Sequence, residues 1–201
     1  MAQTRQFDEL KTIDYETFFG EMDISEQEKR RRIVLAEELE VLFLYLFVLM
    51  KEDPLKDYLQ MIQQKYQEIA TRFLDMDETP AYILNQSQTV AEETARVTRQ
   101  HISQEFYTSK DRAMLISANQ ANVIGNYAFQ VEAIKMGKTT KVWRTMKDFK
   151  VRHTHMIADG QKVGIFEPFK VGNSLLNFPT DLSLGASMEE VANCRCVCKY
   201  Q

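Results

Sequence analysis

Three cysteines near the end of the sequence, together with a histidine, are the residues best suited to chemistry. Cys194, Cys196 and Cys198 stand at every second position. This spacing places all three thiols on one face if residues 192–200 form a strand. Thiolate and imidazole groups are ligands that zinc takes in tetrahedral sites. The pattern therefore indicates a candidate zinc site formed by His155, Cys194 and Cys196.

The same residues also allow a structural interpretation. Free cysteines are often small buried core residues, and His155 could bond a main-chain carbonyl instead of a metal. Cys-x-Cys is a looser pattern than the Cys-x-x-Cys of standard zinc modules, and His153 could replace His155 in the ligand set. Three cysteines this close together do not make a disulfide framework, which favours a reducing compartment such as the cytoplasm.

Catalysis is a third interpretation of this group of residues. His155 and Cys194 could form a thiol nucleophile and its base. The sequence contains no Gly-rich phosphate loop, zinc-protease helix motif or serine elbow, and a cysteine strand at the end of the chain has little cover to exclude water. We therefore predict no catalytic residues and no enzyme, and keep a zinc- or thiol-dependent hydrolase or toxin-type effector as the alternative.

Charge is distributed unevenly along the 201 residues. Residues 139–201 contain nine Lys or Arg and six Asp or Glu, a net charge of +3, whereas the whole chain carries −4. A basic segment can bind the phosphates of double-stranded DNA, although an ordinary solvated face has the same composition. A stand-alone nucleic-acid-binding module is thus a further alternative. The candidate DNA contacts are Lys141, Arg144, Lys147, Lys150 and Arg152.

Helix signals dominate the sequence before residue 138. Ser25 and Glu28 form a capping-box pattern that predicts a helix to about residue 52. Asp53-Pro54 and Thr79-Pro80 each predict a further helix start, the first after a tight turn between antiparallel helices. Another helix should begin at Ser109 and end at Gly137, where glycine allows a left-handed stop.

The most apolar run, Val41–Met50, is ten residues long. A membrane-spanning helix needs roughly 20 such residues, so we predict no membrane association. The run should instead be a helix that is buried on most sides, within its own chain or against a partner protein.

The sequence changes character after Gly137. Thr139–Arg144 is typical of a strand, Asp159-Gly160 predicts a hairpin turn, and further turn signals precede the last strand. The predicted fold class is α+β, with a mostly α-helical N-terminal region of long helices and a small C-terminal α+β domain. The predicted organisation is an N-terminal arm at 1–24, a helical region at 25–109 and the domain at 110–201.

A series of short motifs runs through this last part of the chain. In order, they are Lys141-Val142-Trp143, Val151–His155, Asp159-Gly160, Phe178–Asp181 and Asn193-Cys194-Arg195-Cys196. The ordered set over residues 110–201 resembles the Mu F-like head morphogenesis domain of tailed phages. The motif residues that the resemblance assigns to the structure of the domain are Trp143, Arg152, Asp159, Gly160, Pro179, Asp181, Asn193 and Arg195.

We expect Trp143 to fill the core of the small domain, and Arg152 and Arg195 to pair with Asp159 or Asp181. The sequence departs from the family in one helix, where Asn119 and Gln120 stand in a stretch that often carries an acidic residue.

The resemblance implies a minor head (capsid) protein of a tailed phage or prophage. Members of the family associate with the portal protein during head assembly, and some stay in the virion and influence DNA delivery. The expected partners are therefore portal protein, capsid or scaffolding protein and double-stranded phage DNA, with a role in packaging or ejection. The expected location is the virion head near the portal, after assembly in the host cytoplasm.

Overall fold

In the part of the chain that the structure describes, helices dominate up to residue 135, and short strands with two short helices make up the rest. The computed structural model describes residues 14–20 and 22–201, so most of the predicted arm at 1–24 lies outside the described residues. The helices are α1 Tyr15–Gly20, α2 Glu26–Glu52, α3 Leu59–Leu74, α4 Ala81–Gln100, α5 Lys110–Lys135, α6 His153–Ala158 and α7 Met188–Val191, with a 3-10 turn at Glu105–Thr108. The strands are β1 Thr140–Arg144, β2 Lys162–Gly164, β3 Phe169–Val171, β4 Ser174–Leu176 and β5 Val197–Tyr200. The predicted α+β class is confirmed.

Helix α2 begins with half of the predicted capping box. The Ser25 hydroxyl accepts from the main-chain N–H of Glu28 at 3.2 Å, which satisfies one free donor of the first turn. The Glu28 carboxylate does not reach back to Ser25. It accepts instead from Arg31 at 3.2 Å and from Arg32 at 2.9 Å.

The apolar run within α2 divides into two faces. Its buried side chains are Leu42, Phe43, Leu46, Phe47 and Met50. Val41, Tyr45 and Val48 are more than half exposed, at 68%, 53% and 54%. Burial within this chain therefore covers one face of the run, and burial of the second face against a partner protein stays a prediction.

The connection to α3 is longer than the predicted tight turn. Asp53 accepts from the N–H of Leu55 in a local turn, and α3 starts only at Leu59, whose N–H donates to Asp57 at 2.9 Å. The helices still run antiparallel, because Tyr58 donates to the carbonyl of Leu49 and Arg72 pairs with Glu38.

The predicted starts of α4 and α5 are confirmed. Helix α4 begins after Pro80 and continues through the polar stretch 85–88 without a break. Ser109 caps α5 by accepting from the N–H of Arg112 at 3.2 Å. At the other end, Gly137 has a φ of 72°, the left-handed conformation in which glycine ends a helix at no steric cost.

The chain divides into two compact units. One contains Ile33–Gln120 with the described residues up to Phe18, and the other contains Phe19–Arg32 and Ala121–Gln201. In the first unit, Gln120 accepts from Tyr66 at 2.9 Å and from Gln86 at 3.0 Å, and the neighbouring Asn119 bonds the Leu115 carbonyl. The side-chain amides of Asn119 and Gln120, which stand where the family often has an acidic residue, therefore form hydrogen bonds within this unit.

The second unit contains both sheets. Strand β1 lies between β2 and β5, antiparallel to each, and β3 pairs with β4 in a hairpin that turns at Gly172. In the β1–β5 register Trp143 lies opposite Cys198. Only Val197–Tyr200 of the predicted strand 192–200 is extended strand, since Asn193 turns with a φ of 54°.

None of the helices in the described part of the chain combines the length and the apolar character that a membrane crossing requires.

Candidate metal centre

His155 lies on the short helix α6. Its position just before the predicted Asp159-Gly160 hairpin turn had suggested a strand instead. The helix aims its ring inward, where only 2% of the residue is exposed. Trp143, fully buried as predicted, packs edge-on against this ring, with centroids 5.5 Å apart, and also packs edge-on against Phe169. Helix α6 and β1 together therefore fix the imidazole.

The two cysteines that face His155 lie in the loop between α7 and β5. Asn122 and Asn126 of helix α5 hold the main chain of this loop: Asn122 donates to the carbonyl of Cys194 at 2.7 Å and Asn126 to that of Cys196 at 3.3 Å. Arg32, fully buried, donates in turn to both side-chain oxygens of these asparagines. A buried polar network thus positions the cysteine loop.

The three side chains converge on one nitrogen of the histidine. His155 Nδ1 lies 3.4 Å from Cys196 Sγ and 3.6 Å from Cys194 Sγ. One donor atom from each of the three residues lies within 4.8 Å of the other two, and all three residues are buried. The predicted set of His155, Cys194 and Cys196 is therefore brought together and could hold a metal ion.

Two other candidate donors lie elsewhere. His153 is exposed at the start of α6. Cys198 is buried within β5, and burial raises the pKa of its thiol to about 12, with Tyr200 and Lys141 as its neighbours. Neither residue belongs to the three-residue group, although the alternating spacing had placed the Cys198 thiol on the same strand face as the other two.

Glu190 completes the surroundings of His155. Its Oε2 lies 3.0 Å from His155 Nε2 and accepts from the Thr154 hydroxyl at 2.8 Å. No sequence pattern predicted a role for this residue. The Glu189-Glu190 pair carries no motif, and 35 residues separate Glu190 from the histidine.

The two thiols and the imidazole shift one another's pKa values. The hydrogen bond from Cys196 lowers the pKa of Cys194 well below its ordinary value, with His155 adding to the effect. The pKa of Cys196 is raised by the same hydrogen bond and by burial. Desolvation alone would lower the pKa of His155, but Cys194 raises it above its ordinary value. Cys194 is accordingly the sulfur most ready to become a thiolate.

A small cavity of about 20 Å³ opens beside these side chains, with Lys150, Arg152 and Asn193 among its lining residues. A volume of this size accommodates about one water molecule. The space beside the three side chains can therefore admit a small ligand.

The five candidate DNA contacts do not form one surface. Lys141 is fully buried and donates to the Asn177 carbonyl at 2.6 Å, so its inclusion was wrong: its ammonium is withdrawn from the surface. Arg152 donates to the Ala192 carbonyl beside the cysteine loop. Arg144 is half-buried, and the ammonium groups of Lys147 and Lys150 reach solvent, with Lys147 3.9 Å from Asp159.

The acidic residues of the motifs have other partners than predicted. Asp159 accepts from the N–H and hydroxyl of Thr145, and Asp181 from Asn177 and Ser183. Arg195 pairs with Asp148 at 2.7 and 2.9 Å. The predicted ion pairs of Arg152 and Arg195 with Asp159 or Asp181 are therefore wrong, because these aspartates hold turns by accepting from nearby residues.

The remaining motif residues shape the chain around the site. Gly160 has a φ of 81°, and its N–H donates to the Trp143 carbonyl at 2.9 Å. The Pro179 carbonyl accepts from Asn126 at 3.0 Å. The same asparagine therefore holds both the proline turn and the cysteine loop.

Comparison with known proteins identifies the family. The family model described as "Phage Mu protein F like protein" matches residues 62–199. No curated protein and no solved structure matches the chain. The match covers more than half of the chain, which therefore belongs to the phage Mu protein F like family. This membership points to a structural protein of phage head morphogenesis, located in the virion.

Proposed function

We propose that this protein is a minor head protein that associates with the phage portal during head assembly and contacts phage DNA. The family match over residues 62–199 carries the proposal. The resemblance of the C-terminal motifs to the Mu F-like domain supplies the portal as the expected partner. Capsid or scaffolding protein is a further expected partner in the same process.

An exposed apolar stripe on α2 supports a protein partner. Val34, Val41 and Val48 stand seven residues apart, and Tyr45 follows Val41 by four. Residues at these spacings lie along one side of a helix, and each is at least 53% exposed. Apolar side chains aligned in this way are typical of a helix that packs against another protein. We assign this stripe, Val34, Val41, Tyr45 and Val48, to the portal.

Three basic residues support a contact with DNA. Arg144 ends β1, and Lys147 and Lys150 follow in the loop before α6. Without Lys141 and Arg152, this group is smaller than the sequence predicted, so it would contribute a weak, sequence-independent attraction to phosphates. Such a contact fits a role in DNA packaging or ejection from the virion head near the portal.

Copurification with the cognate portal protein tests the proposal. The chain and the portal are co-expressed with a tag on either partner, and we expect a complex that survives moderate salt. The Val41→Asp/Val48→Asp variant should lose the complex, because it places two charges within the apolar stripe. Leu84→Asp is a matched control, since Leu84 is an exposed apolar residue (44%) on a different helix, α4. Absence of any complex with the unaltered chain would contradict portal association, and an intact complex with the double variant would contradict the assignment of the stripe.

A further inference from the structure

One group of buried donors has no role in the contacts proposed for head assembly. We infer that His155, Cys194 and Cys196 form a zinc centre in which Nδ1 of His155 is the ligand atom, Glu190 orients the imidazole from outside, and the fourth position opens on the small cavity. The proposed portal and DNA contacts do not use these three ligands, although Lys150 belongs both to the DNA group and to the cavity lining. Zinc binding by His155, Cys194 and Cys196 can therefore be tested separately from the proposed function.

The distances are those of ligands around a tetrahedral ion. Zinc lies about 2.3 Å from thiolate sulfur and about 2.0–2.1 Å from imidazole nitrogen, and a tetrahedral angle between these bonds separates sulfur and nitrogen by about 3.6 Å. The two separations from His155 Nδ1 are 3.4 and 3.6 Å. Both sulfur atoms therefore already stand at ligand spacing from the imidazole nitrogen, and all three donor atoms lie within 4.8 Å of one another.

Hydrogen bonding, which already joins Cys196 to Cys194, accounts less well for the two sulfur contacts of the His155 nitrogen. A neutral imidazole nitrogen either donates one hydrogen bond or accepts through one lone pair. Two sulfur atoms nevertheless approach His155 Nδ1 at nearly equal distances. A cation between the three atoms would interact with the nitrogen and with both thiolates at once, which is why we favour a metal over packing.

Glu190 sets which nitrogen faces the sulfurs. Its carboxylate lies 3.0 Å from His155 Nε2, and a carboxylate is an acceptor, so the proton of a neutral ring resides on Nε2. The lone pair of Nδ1 then points toward Cys194 and Cys196. Metal-binding histidines commonly carry a carboxylate at the other nitrogen, where it fixes the ring and strengthens the ligand. Glu190 is thus a positioning residue rather than a ligand.

The fourth ligand is expected to come from solvent. Within the described part of the chain, the group contains three donor residues, whereas a closed structural zinc site has four. The adjoining cavity of about 20 Å³ has room for one water molecule. Lys150 and Arg152 line this cavity, so it also suits a small anion. Two thiolates neutralise the charge of the ion itself.

Zinc titration of the complete protein tests the site. Protein stripped with chelator should bind one zinc per chain, and cobalt(II) in its place should give the charge-transfer absorption of thiolate ligands. Zinc should also raise the melting temperature, because the ion joins α6 to a loop 39 residues away. Failure of the stripped, folded protein to bind zinc or cobalt would overturn the inference and leave the cysteines as packing residues.

Substitutions distinguish the proposed zinc ligands from residues that only lie near the site. Cys196→Ser and His155→Ala should abolish the cobalt absorption, and Cys198→Ser should retain it, because Cys198 is buried but outside the group. Glu190→Gln should bind zinc about 10–100-fold more weakly while keeping the thiolate absorption. Disappearance of the absorption in Cys198→Ser, or unchanged affinity in Glu190→Gln, would contradict the assigned roles. Each variant is compared at equal folded fraction, measured by circular dichroism.

Discussion

The side-chain amide of Asn122 donates a 2.7 Å hydrogen bond to the main-chain carbonyl of Cys194, although 72 residues separate them. The same side chain accepts from Arg32 with its oxygen. One residue of helix α5 therefore joins the buried arginine to the cysteine loop.

Replacement of Asn122 by alanine should destabilise the protein. The Cys194 carbonyl would lose its partner and Arg32 one of its two asparagine acceptors, and a buried polar group without a partner costs about 1–3 kcal/mol. The free energy of unfolding in urea measures the effect. Asn85→Ala is the control, because Asn85 is an exposed residue within helix α4 and alanine favours a helix. Equal stability of the two variants would contradict the importance of this bond.

Gly125→Ala should also destabilise the protein, although alanine in a helix usually adds about 0.5–1 kcal/mol over glycine. A Cβ at this position would lie 2.4 Å from Arg32 Nε, so either the guanidinium or α5 must move. Such overpacking costs about 1–3 kcal/mol.

Two comparisons check this explanation. Gly20→Ala, where no atom lies within 4 Å of the added Cβ, should change the melting temperature little. In an Arg32→Lys background, Gly125→Ala should destabilise the protein less, because lysine lacks the wide guanidinium group that the added methyl would meet. If Gly125→Ala lowers the free energy of unfolding equally with and without Arg32→Lys, the clash with Arg32 is not the cause.

DNA binding should depend on Arg144, Lys147 and Lys150. Their joint replacement by glutamate should lower affinity for random-sequence duplex at low salt, and the slope of log affinity against log salt should fall by up to about 2.7, or about 0.9 for each phosphate that is no longer neutralised. Fluorescence anisotropy measures both quantities. The matched control replaces Lys51, Lys56 and Lys65 of the helical region by glutamate, with the same change in charge. Equal reductions in the two triple variants would indicate a general charge effect rather than binding at these three residues.

The sequence predicted the long helices well because their signals are local. Ser25 and Ser109 cap the helices that they were expected to begin, and Gly137 ends one. The start at Asp53 was wrong because the side chain of Asp53 closes a turn with Leu55 instead of capping a helix. A single pair of residues, aspartate before proline, is compatible with both outcomes.

The residues that converge at the candidate site were predictable, but the elements that position them were not. The Asn193-Cys194-Arg195-Cys196 motif singled out Cys194 and Cys196. The turn at Asn193 and the helix that carries His155 were missed, since a helix of six residues has little periodicity to detect. Arg32 was missed for another reason. It ends the run Lys29–Arg32, a composition typical of a solvated surface, and only long-range packing decides that one of four cations is buried.

The position of Arg32 has a consequence for how such genes can recombine. The family match begins at residue 62, but the second compact unit also requires Phe19–Arg32. A crossover near residue 62 would produce a hybrid protein in which α5 and the cysteine loop come from one phage and residue 32 comes from another. Exchange should therefore succeed between parents that both carry an arginine there and a glycine at the position of Gly125. In other pairs the hybrid should fold poorly even where the exchanged segment is intact.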